Sequence, residues 1–460
     1  MPTGPEKPRL LVISYRYPPE TYPLAIGLRG VIDHLREDWD IDVVTAAEDA
    51  YEPKGVQIER VLPRSLNWFQ RQMGNLRLDK IARFLLFPDP FWPWVFPALK
   101  RCTHLHQEHP YEAALVFMMP FSTGFVGTQL KNKLGLPLIL NFNDSPTCSD
   151  MNPWFPSRLH YQFTRWMEDY FIRTADRVVY VSSQNRDRVQ TRQSSDQRGK
   201  IRLVRCSVLS NFASHSSEPV TRDTFQIVYT GAMSGWYALD PSPTSPLQHL
   251  YRAWNALGTY QLAPVDPRSH SPVYVGRAVR RVLDQHPEWA NRLQIEIYGN
   301  TYPDDVIDRV LRRYDLQDIV RVHGRIPHRA VHETIRRAHL LFLTLPDRLD
   351  GSAGGRISLK TYEYLTTNRP ILAALPRGEN RTVLGSKTGT YLAKPKDVET
   401  MANHISILAG KHFAGENIST DRSVLQTSLS SRRRAQQLHT ILSEATGRPA
   451  SSRWSIPEQV

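Results

Sequence analysis

Short apolar runs alternate with longer amphipathic stretches along most of the chain. The apolar runs predict strands, which we place at Leu10–Ile13, Ile41–Thr45, Ala114–Phe117, Pro137–Asn141, Arg177–Val181, Ile201–Leu203, Ile227–Tyr229, Gln294–Tyr298, Val320–His323, Leu340–Thr344 and Pro370–Ala374. The amphipathic stretches predict helices at Leu24–Arg36, Phe121–Leu134, Ser157–Thr174, Gly276–Gln285, Pro303–Tyr314, Arg329–Ala338 and Ser358–Thr366. This alternation is typical of α/β proteins, in which helices cross between parallel strands.

The length of 460 residues suits two or three domains. Ser, Asn, Pro and Thr cluster without periodicity at 207–224, which predicts a linker there. We therefore expect a first domain over 1–206 and a second over 225–428, followed by a helix over 429–446 and a disordered tail over 447–460. The Pro-, Ser- and Tyr-rich segment 236–272 is interpreted as an inserted surface loop of the second domain, with a lid as one alternative.

Composition narrows the classes of protein. Apolar residues make up 40% of the chain and charged residues 22%, which excludes a disordered, collagen-like or coiled-coil chain. Three scattered cysteines, Cys102, Cys148 and Cys206, are too few for a disulfide framework or a closed zinc site, so we expect a reducing compartment. The formal net charge of +13 favours partners that carry phosphate, such as a nucleotide, a nucleic acid or an anionic membrane.

The longest apolar stretch, residues 84–99, is broken by Asp89 and four prolines. It does not reach the length of about 18 apolar residues that a membrane span needs. No secretory leader is evident at the start of the chain. The sequence therefore predicts a soluble protein, or one that lies on a membrane surface.

Two turns that follow predicted strands could face a ligand, because open parallel sheets bind ligands at the carboxyl ends of their strands. The first turn contains Tyr17, Pro18 and Pro19, although paired prolines also serve simply to stiffen a connection. The second begins at Gly231, where a glycine lets backbone N–H groups approach a phosphate, although it also suits a tight turn.

A glycine-rich segment, residues 351–355, runs into the helix predicted at Ser358–Thr366. Backbone N–H groups and the helix dipole could meet a phosphate there, and Arg356 and Lys360 add the cations that a diphosphate needs. Glu363, two turns into the predicted helix, could accept hydrogen bonds from the hydroxyls of a ribose. Alternatively, Glu363 is a surface residue paired with Lys360. The sequence contains no Walker A loop, zinc-protease helix motif or hydrolase nucleophile elbow.

Seven stretches together resemble a known family. They are Tyr17-Pro-Pro-Glu followed by Arg29, Leu138-Ile-Leu-Asn-Phe-Asn-Asp, Ala175-Asp-Arg-Val-Val-Tyr-Val-Ser, Val228-Tyr-Thr-Gly, Ile297-Tyr-Gly, Val322-His-Gly-Arg-Ile-Pro-His, and Lys360-Thr-Tyr-Glu-Tyr-Leu-Thr-Thr-Asn-Arg-Pro-Ile-Leu. In their order and spacing they resemble the GT-B glycosyltransferases, specifically the large retaining family four that builds bacterial surface polysaccharides. The resemblance spans roughly residues 9–445.

The resemblance implies a GT-B fold, in which two Rossmann-like domains turn their parallel sheets toward a central cleft and the C-terminal helix crosses back onto the first domain. It also implies transfer of a sugar, with retention, from a nucleotide-sugar donor to a glycan or lipid-linked acceptor. By this resemblance the donor would be bound by Gly231, Gly299, Arg325, Gly354, Gly355, Arg356, Ser358, Lys360 and Glu363. Tyr17, Pro18, Pro19 and Ser122 would lie on the acceptor side.

The chain departs from the family pattern at three places. Gly355 stands where the first Glu of the Glu-x7-Glu motif would fall, no Arg or Lys follows Gly231 before Arg252, and no histidine lies near Ser122. In this fold the leaving phosphate can itself take the acceptor proton, so the lack of a histidine is tolerated. Asp144 is the candidate for orienting an acceptor hydroxyl, although it could equally form a turn or helix cap ahead of Pro146.

Catalysis is thus assigned to Asp144, Glu363 and Arg356, with neither a metal nor a cofactor. The missing motif residues leave two alternatives open: an inactive GT-B scaffold that binds a sugar nucleotide or a partner enzyme, and a sugar-nucleotide epimerase. Nucleic-acid binding has only the net charge in its favour, because no DNA- or RNA-binding module is recognisable.

Basic and aromatic residues are interleaved over 67–99. Arg77, Lys80 and Arg83 stand beside Trp68, Phe84 and other apolar side chains, as in elements that touch anionic lipid. The alternative is a helix packed on the first sheet with a solvated basic face. We expect a cytoplasmic protein, either free or bound to the inner face of the plasma membrane.

Overall fold

The computed structural model describes residues 7–20, 22–148, 154–208, 223–242 and 245–449. The chain forms two compact units. The first comprises Met1–Ser210, Pro246–Leu262 and Leu429–Val460, and the second comprises Asn211–Ser245 and Ala263–Ser428. Each unit is built on its own parallel sheet, so the α/β class predicted from the sequence is confirmed.

The first unit contains a seven-stranded sheet in the order β3-β2-β1-β4-β5-β7-β8, with every neighbouring pair parallel. Its strands are β1 Arg9–Ile13, β2 Asp40–Thr45, β3 Val56–Arg60, β4 Ala113–Phe117, β5 Leu138–Phe142, β6 Trp154–Phe155, β7 Arg177–Tyr180, β8 Ile201–Leu203 and β10 Tyr260–Gln261. Its helices are α1 Pro23–Leu35, α2 Asn67–Asn75, α3 Asp79–Leu85, α4 Val95–Glu108, α5 Thr123–Leu134, α6 Arg158–Thr174, α7 Ser183–Gln190, α8 Ser195–Arg198, α10 Pro246–Ala256 and α18 Ser431–Thr446. The short strands β6 and β10 pair with each other and not with the main sheet.

Apolar layers cover both faces of this sheet, which is why its central strands read as continuous apolar runs. The last helix, α18, packs on α1, and the indole of Trp39 donates a 3.0 Å hydrogen bond to Nδ1 of His439 on α18. Ser430 caps the start of α18 by accepting a hydrogen bond from the amide of Arg433, and Gly447 ends it with a φ of +71°.

The second unit contains a six-stranded parallel sheet in the order β13-β12-β9-β14-β16-β17. Its strands are β9 Phe225–Thr230, β11 Val265–Asp266, β12 Leu293–Tyr298, β13 Val320–Val322, β14 Leu340–Thr344, β15 Asp347–Arg348, β16 Ile371–Ala374 and β17 Thr390–Ala393. Its helices are α9 Trp236–Leu239, α11 Val273–Gln285, α12 Asp304–Arg313, α13 His328–Arg337, α14 Leu359–Leu365, α15 Glu379–Gly385, α16 Val398–Phe413 and α17 Ser423–Ser428. Strands β11 and β15 form a separate antiparallel pair.

The eleven predicted strands are all present, whereas the edge strands β3 and β17 were not predicted. The interpretation of 236–272 as a surface loop is wrong, because this segment contains α9, α10, β10 and β11, and its middle part belongs to the first unit. Most of the predicted linker (209–222) and of the predicted tail (450–460) lies outside the described residues.

Candidate functional site

The second unit brings two glycines together at the carboxyl ends of neighbouring strands. Gly231 follows β9 and Gly299 follows β12, and both have a positive φ, of 115° and 93°. A Cβ atom on Gly299 would lie 3.1 Å from Cα of Gly231, and a Cβ on Gly231 would lie 2.6 Å from Cε of Lys360. Only glycines therefore allow the Lys360 side chain to lie directly on these strand ends.

The backbone amides of the two glycines are already used. Gly231 donates to the carbonyl of Tyr298 at 2.6 Å, and Gly299 donates to the carbonyl of Gly324 at 2.9 Å. The sequence suggested that Gly231 lets N–H groups approach a phosphate. The Gly231 amide itself is not available for this, and the position also makes room for the Lys360 side chain.

Lys360 places a positive charge at this edge of the sheet. Its Nζ lies 5.1 Å from the ring centroid of Tyr229. Burial, followed by the nearby Arg356 guanidinium, lowers the pKa of Lys360 to about 8, while the Glu363 carboxylate acts in the opposite direction. Two adjacent cations with one carboxylate nearby provide a local excess of positive charge, which suits an anionic ligand.

Helix α14, which carries Lys360 and Glu363, is tied to the end of β9. The hydroxyl of Tyr364 accepts a 3.1 Å hydrogen bond from the amide of Thr230 and makes another, also 3.1 Å, with its side-chain oxygen. The helix begins at Leu359, so Glu363 lies little more than one turn into it, not two turns as expected, and its side chain is buried. The position of Lys360 is thus fixed by a helix anchored at the same strand end.

The glycine-rich loop packs on the loop that follows β16. Gly354 donates its amide to the carbonyl of Arg377 (3.1 Å) and accepts from the amide of Glu379 (2.9 Å). Gly378 has a φ of +146°, and a Cβ atom there would lie 2.2 Å from the Gly354 oxygen. The amide of Gly354 is therefore already bonded and cannot donate to a phosphate. The side chains of Arg356 and Lys360, which follow in the chain, are the better candidates for binding a phosphate.

The other predicted donor residues lie around this loop. Gly355 and Ser358 are buried, and Ser358 precedes α14 without capping it through its side chain. Arg356 is half-buried and close enough to influence the pKa of Lys360. Arg325 is exposed in the loop after β13, one strand farther out than Gly299.

His270 is a residue of this site that the sequence analysis missed. Its Nδ1 accepts a 3.1 Å hydrogen bond from the amide of Ser234, so Nε2 carries the proton and donates to the hydroxyl of Tyr229 at 3.1 Å. Burial, with Lys360 and Arg356 nearby, lowers the pKa of His270 to about 3. The neutral imidazole thereby connects the loop after β9 to the segment before α11.

In the first unit, the proline turn does not present its tyrosine. Tyr17 is fully buried in the core beside Leu24 and Leu28, and this burial raises the pKa of its hydroxyl. The carbonyl of Pro18 accepts from the amide of Tyr51 at 2.8 Å, and Pro19 follows in the same turn. The Tyr17 ring is therefore a packing element and is not available to an acceptor.

Ser122 is buried as well and is held by Asp89. Its amide and its hydroxyl donate to the two carboxylate oxygens of Asp89, each at 2.9 Å. Burial raises the pKa of Asp89, and these hydrogen bonds oppose the rise. In the sequence, Asp89 stands out only as an interruption of an apolar run. In the structure its carboxylate binds Ser122, the residue that precedes α5, and so fixes the start of this helix.

Asp144 follows β5 and is half-buried in a loop that a buried carboxylate holds in place. Glu168 accepts 2.8 Å hydrogen bonds from the hydroxyls of Ser145 and Tyr180, and it pairs with Arg192. Ser145 Oγ also accepts from the amide of Thr147 at 3.2 Å, so Ser145 makes the turn that Asp144 was an alternative candidate for. The Ser145 and Thr147 side chains are thus both bonded to Glu168. The sequence analysis did not identify Glu168 or Arg192.

Helix α18 adds a buried guanidinium near this loop. Arg434 is buried, and its guanidinium lies 3.0 Å from the position that a Cβ on Gly27 would take. Burial raises the pKa of Cys206; the Arg434 charge opposes this rise, whereas the Asp144 carboxylate adds to it.

Within the described ranges, no group of three or more His, Cys, Asp or Glu side chains could hold a metal ion. In the same part of the chain, no helix has both the length and the apolar character needed to cross a bilayer.

Comparison with known proteins finds a family match over the first part of the chain and structural similarity over nearly all of it. Residues 24–206 match the family described as Glycosyl transferase 4-like domain. Comparison with curated proteins finds no match. Among solved structures, the chain is similar to sucrose-phosphate synthase from Thermosynechococcus elongatus, with a TM-score of 0.63, 13% identity and coverage of 96% of this chain and 100% of that one.

Two further structures have similar scores. HepE from Anabaena, solved in complex with UDP-glucose, has a TM-score of 0.57 at 14% identity and covers 95% of this chain and 99% of its own. Trehalose 6-phosphate synthase from Burkholderia multivorans also has a TM-score of 0.57 at 14% identity, and the similarity covers 99% of this chain and 100% of that one. The fold is that of the GT-B glycosyltransferases, as the resemblance predicted, and residues 24–206 match a domain of the glycosyltransferase type.

Proposed function

We propose that this glycosyltransferase moves a sugar from a nucleotide-sugar donor to a glycan or lipid-linked acceptor, with retention, in the synthesis of a surface polysaccharide or glycoconjugate. The observation that carries the proposal is the position of Lys360 against the Gly231 backbone, which Gly299 approaches from the neighbouring strand, with Arg356 near Lys360. Such a cationic surface at the carboxyl ends of parallel strands suits the diphosphate of a sugar nucleotide.

The proposed chemistry requires stabilisation of a leaving nucleoside diphosphate. Negative charge develops on the phosphate oxygens as the bond to the sugar breaks, and the cations of Lys360 and Arg356 would stabilise that charge without a metal or other cofactor. Glu363 would accept hydrogen bonds from the donor ribose. Asp144 would orient the acceptor hydroxyl, and the leaving phosphate would take its proton.

A cavity of about 220 Å³ in the first unit supports a partly apolar acceptor. Its lining includes Phe87, Phe121, Trp154 and Met167, together with Asp89, which holds Ser122. We further propose that the basic and aromatic segment 67–99 brings the protein to an anionic membrane surface, where a lipid-linked acceptor would be presented.

The test is release of nucleoside diphosphate from a panel of sugar nucleotides, starting with UDP-glucose because HepE was solved with it. We expect one donor to be consumed, faster when a suitable acceptor is present and more slowly in Lys360→Met. Conversion to an epimer without release would indicate an epimerase. Binding of donors without any turnover would favour the inactive scaffold, which the glycine at position 355 keeps as a second candidate.

A further inference from the structure

Helix α10 has an apolar stripe that faces outward. Leu247, Leu250 and Trp254 recur at helical spacing, and Leu257 follows directly after the helix; their exposed fractions are 65%, 69%, 47% and 64%. None of the eleven residues of α10 is buried. An amphipathic helix of a globular protein normally turns such a stripe toward the core, so the orientation of α10 is reversed.

Polar contacts hold one flank of α10 against α3. The Tyr251 hydroxyl donates to the carboxylate of Asp79, and the Arg83 guanidinium donates to the side-chain oxygen of Asn255 at 2.9 Å. Lys80 Nζ donates to the carbonyls of Trp254 and Leu257, at 3.1 and 2.6 Å, so an ammonium group occupies the C-terminal end of the helix. Lys80 Nζ also lies 4.6 Å from the ring centroid of Trp254, which leaves that ring partly exposed. The helix is thus fixed in place with Leu247 and Leu250 turned out.

The exposed apolar surface continues onto the neighbouring helices of the same unit. On α3 and α6 it includes Ile81, Phe84, Leu85, Leu159, Phe163 and Trp166. The helices are in contact, because Phe84 packs on His160 with ring centroids 4.7 Å apart. Tyr161 and Tyr260 pack in the same way at 4.8 Å and connect α6 to the strand that follows α10.

The charge of this surface indicates what covers it. Residues 62–100, 154–167 and 245–262 contain nine Arg or Lys and only two acidic residues, Asp79 and Asp89. Asp79 is bonded to Tyr251, and Asp89 is bonded to Ser122. A second copy of the chain would set like charges against each other, whereas an anionic bilayer complements the basic residues and accepts the Trp and Leu side chains.

We propose that α10 inserts Leu247, Leu250 and Trp254, together with Leu257 just after the helix, into the interface of an anionic lipid bilayer, with the surrounding basic residues at the headgroups. This inference rests on the proposed membrane contact of 67–99 and adds to it a helix from the inserted segment. Lys80 and Arg83 are occupied in holding α10. Neutralising Lys80 and Arg83 would therefore remove the contacts that hold α10 as well as two positive charges, and the two effects could not be separated. The test therefore changes the apolar residues of α10.

The experiment is vesicle flotation of the full chain with phosphatidylcholine alone and with added phosphatidylglycerol. The test variant is Leu247→Gln/Leu250→Gln. The matched control is Leu349→Gln/Val424→Gln, which changes two similarly exposed apolar residues of the second unit. Because all four residues are exposed, the thermal unfolding midpoint should be unchanged in both variants.

We expect the parent and the control to float with the anionic vesicles, and the partition coefficient of the test variant to fall by about tenfold or more, since each buried methylene contributes to such binding. Equal flotation of parent and test variant would overturn the proposal. So would a parent that ignores anionic vesicles, or one that binds neutral vesicles equally well. A concentration-dependent dimer that only the test variant loses would assign the stripe to a second copy instead. Flotation needs no donor, so its outcome is separate from that of the sugar-transfer assay.

Discussion

Replacing Lys360 by methionine tests the electrostatic basis of the proposed donor site. Methionine keeps much of the length of the side chain that lies over Gly231 but removes its charge. A hydrogen bond to a charged group contributes about 1.5–3 kcal/mol. We therefore expect the dissociation constant of the preferred nucleoside diphosphate to rise by about ten- to a hundredfold in isothermal titration calorimetry at pH 7.

The pH dependence makes this prediction more specific. The pKa of Lys360 is about 8 in the unliganded protein, and an anion binds better to the protonated amine. Affinity of the parent should thus fall as the pH rises above about 8, by up to about tenfold per pH unit. Lys360→Arg should remove this fall because a guanidinium stays charged, and Lys360→Met should bind weakly at every pH.

Lys411→Met is the matched control, since Lys411 is an exposed lysine on α16 of the same unit. It should bind as the parent does. The reasoning is refuted if Lys360→Met keeps the affinity of the parent, or if the affinity of the parent does not change between pH 7 and a pH well above the pKa of Lys360.

Three other outcomes are expected. Glu363→Gln, measured by the same titration, should lose at least about tenfold in donor affinity while keeping its unfolding midpoint, because an amide forfeits charge-assisted bonds to hydroxyls; unchanged affinity would leave Glu363 with a structural role. Gly231→Ala should lose about 1–3 kcal/mol of stability in urea denaturation and should also bind the donor more weakly, because the added Cβ displaces Lys360. Gly351 also has a positive φ but has open space around it, so Gly351→Ala should lose stability without losing donor affinity. His270 has a pKa of about 3 in the folded protein, so the stability it contributes is complete above about pH 6.5 and is lost as the pH falls from there toward 3. Over that window the free energy of unfolding of the parent should fall by up to about 1.4 kcal/mol per pH unit more than that of His270→Gln. Parallel curves of unfolding free energy against pH for the two proteins would contradict this.

The central strands could be predicted because a parallel strand covered on both faces is a continuous apolar run, as in β5 and β14. Of the four edge strands, β8 and β13 were predicted, whereas β3 and β17 are only partly covered and lack this signal. Strand β3 consists of half-buried and exposed residues only, and β17 buries only Ala393 fully, so neither stands out from the loops around it. The reversed polarity of α10 likewise hid its place in the first unit, since a pattern of apolar positions does not say which side faces a neighbour.

The candidate site could be predicted in part. The glycines and cations were identified from their places after strands and from the family resemblance. The contact between Gly231 and Lys360 joins residues far apart in sequence, and no local pattern indicates it. His270 was missed because it lies in the segment interpreted as a loop. The burial of Tyr17 and Ser122 depends on packing that their own sequence neighbourhoods do not reveal.

The central claim is that a nucleotide-sugar donor binds at the strand ends of the second unit. It is tested most directly by a crystal structure of the full chain with the nucleoside diphosphate that it binds best. We predict phosphate oxygens within hydrogen-bonding distance of Lys360 Nζ and Arg356, above Gly231 and Gly299. A diphosphate bound elsewhere on the chain, with Lys360 untouched, would contradict the account.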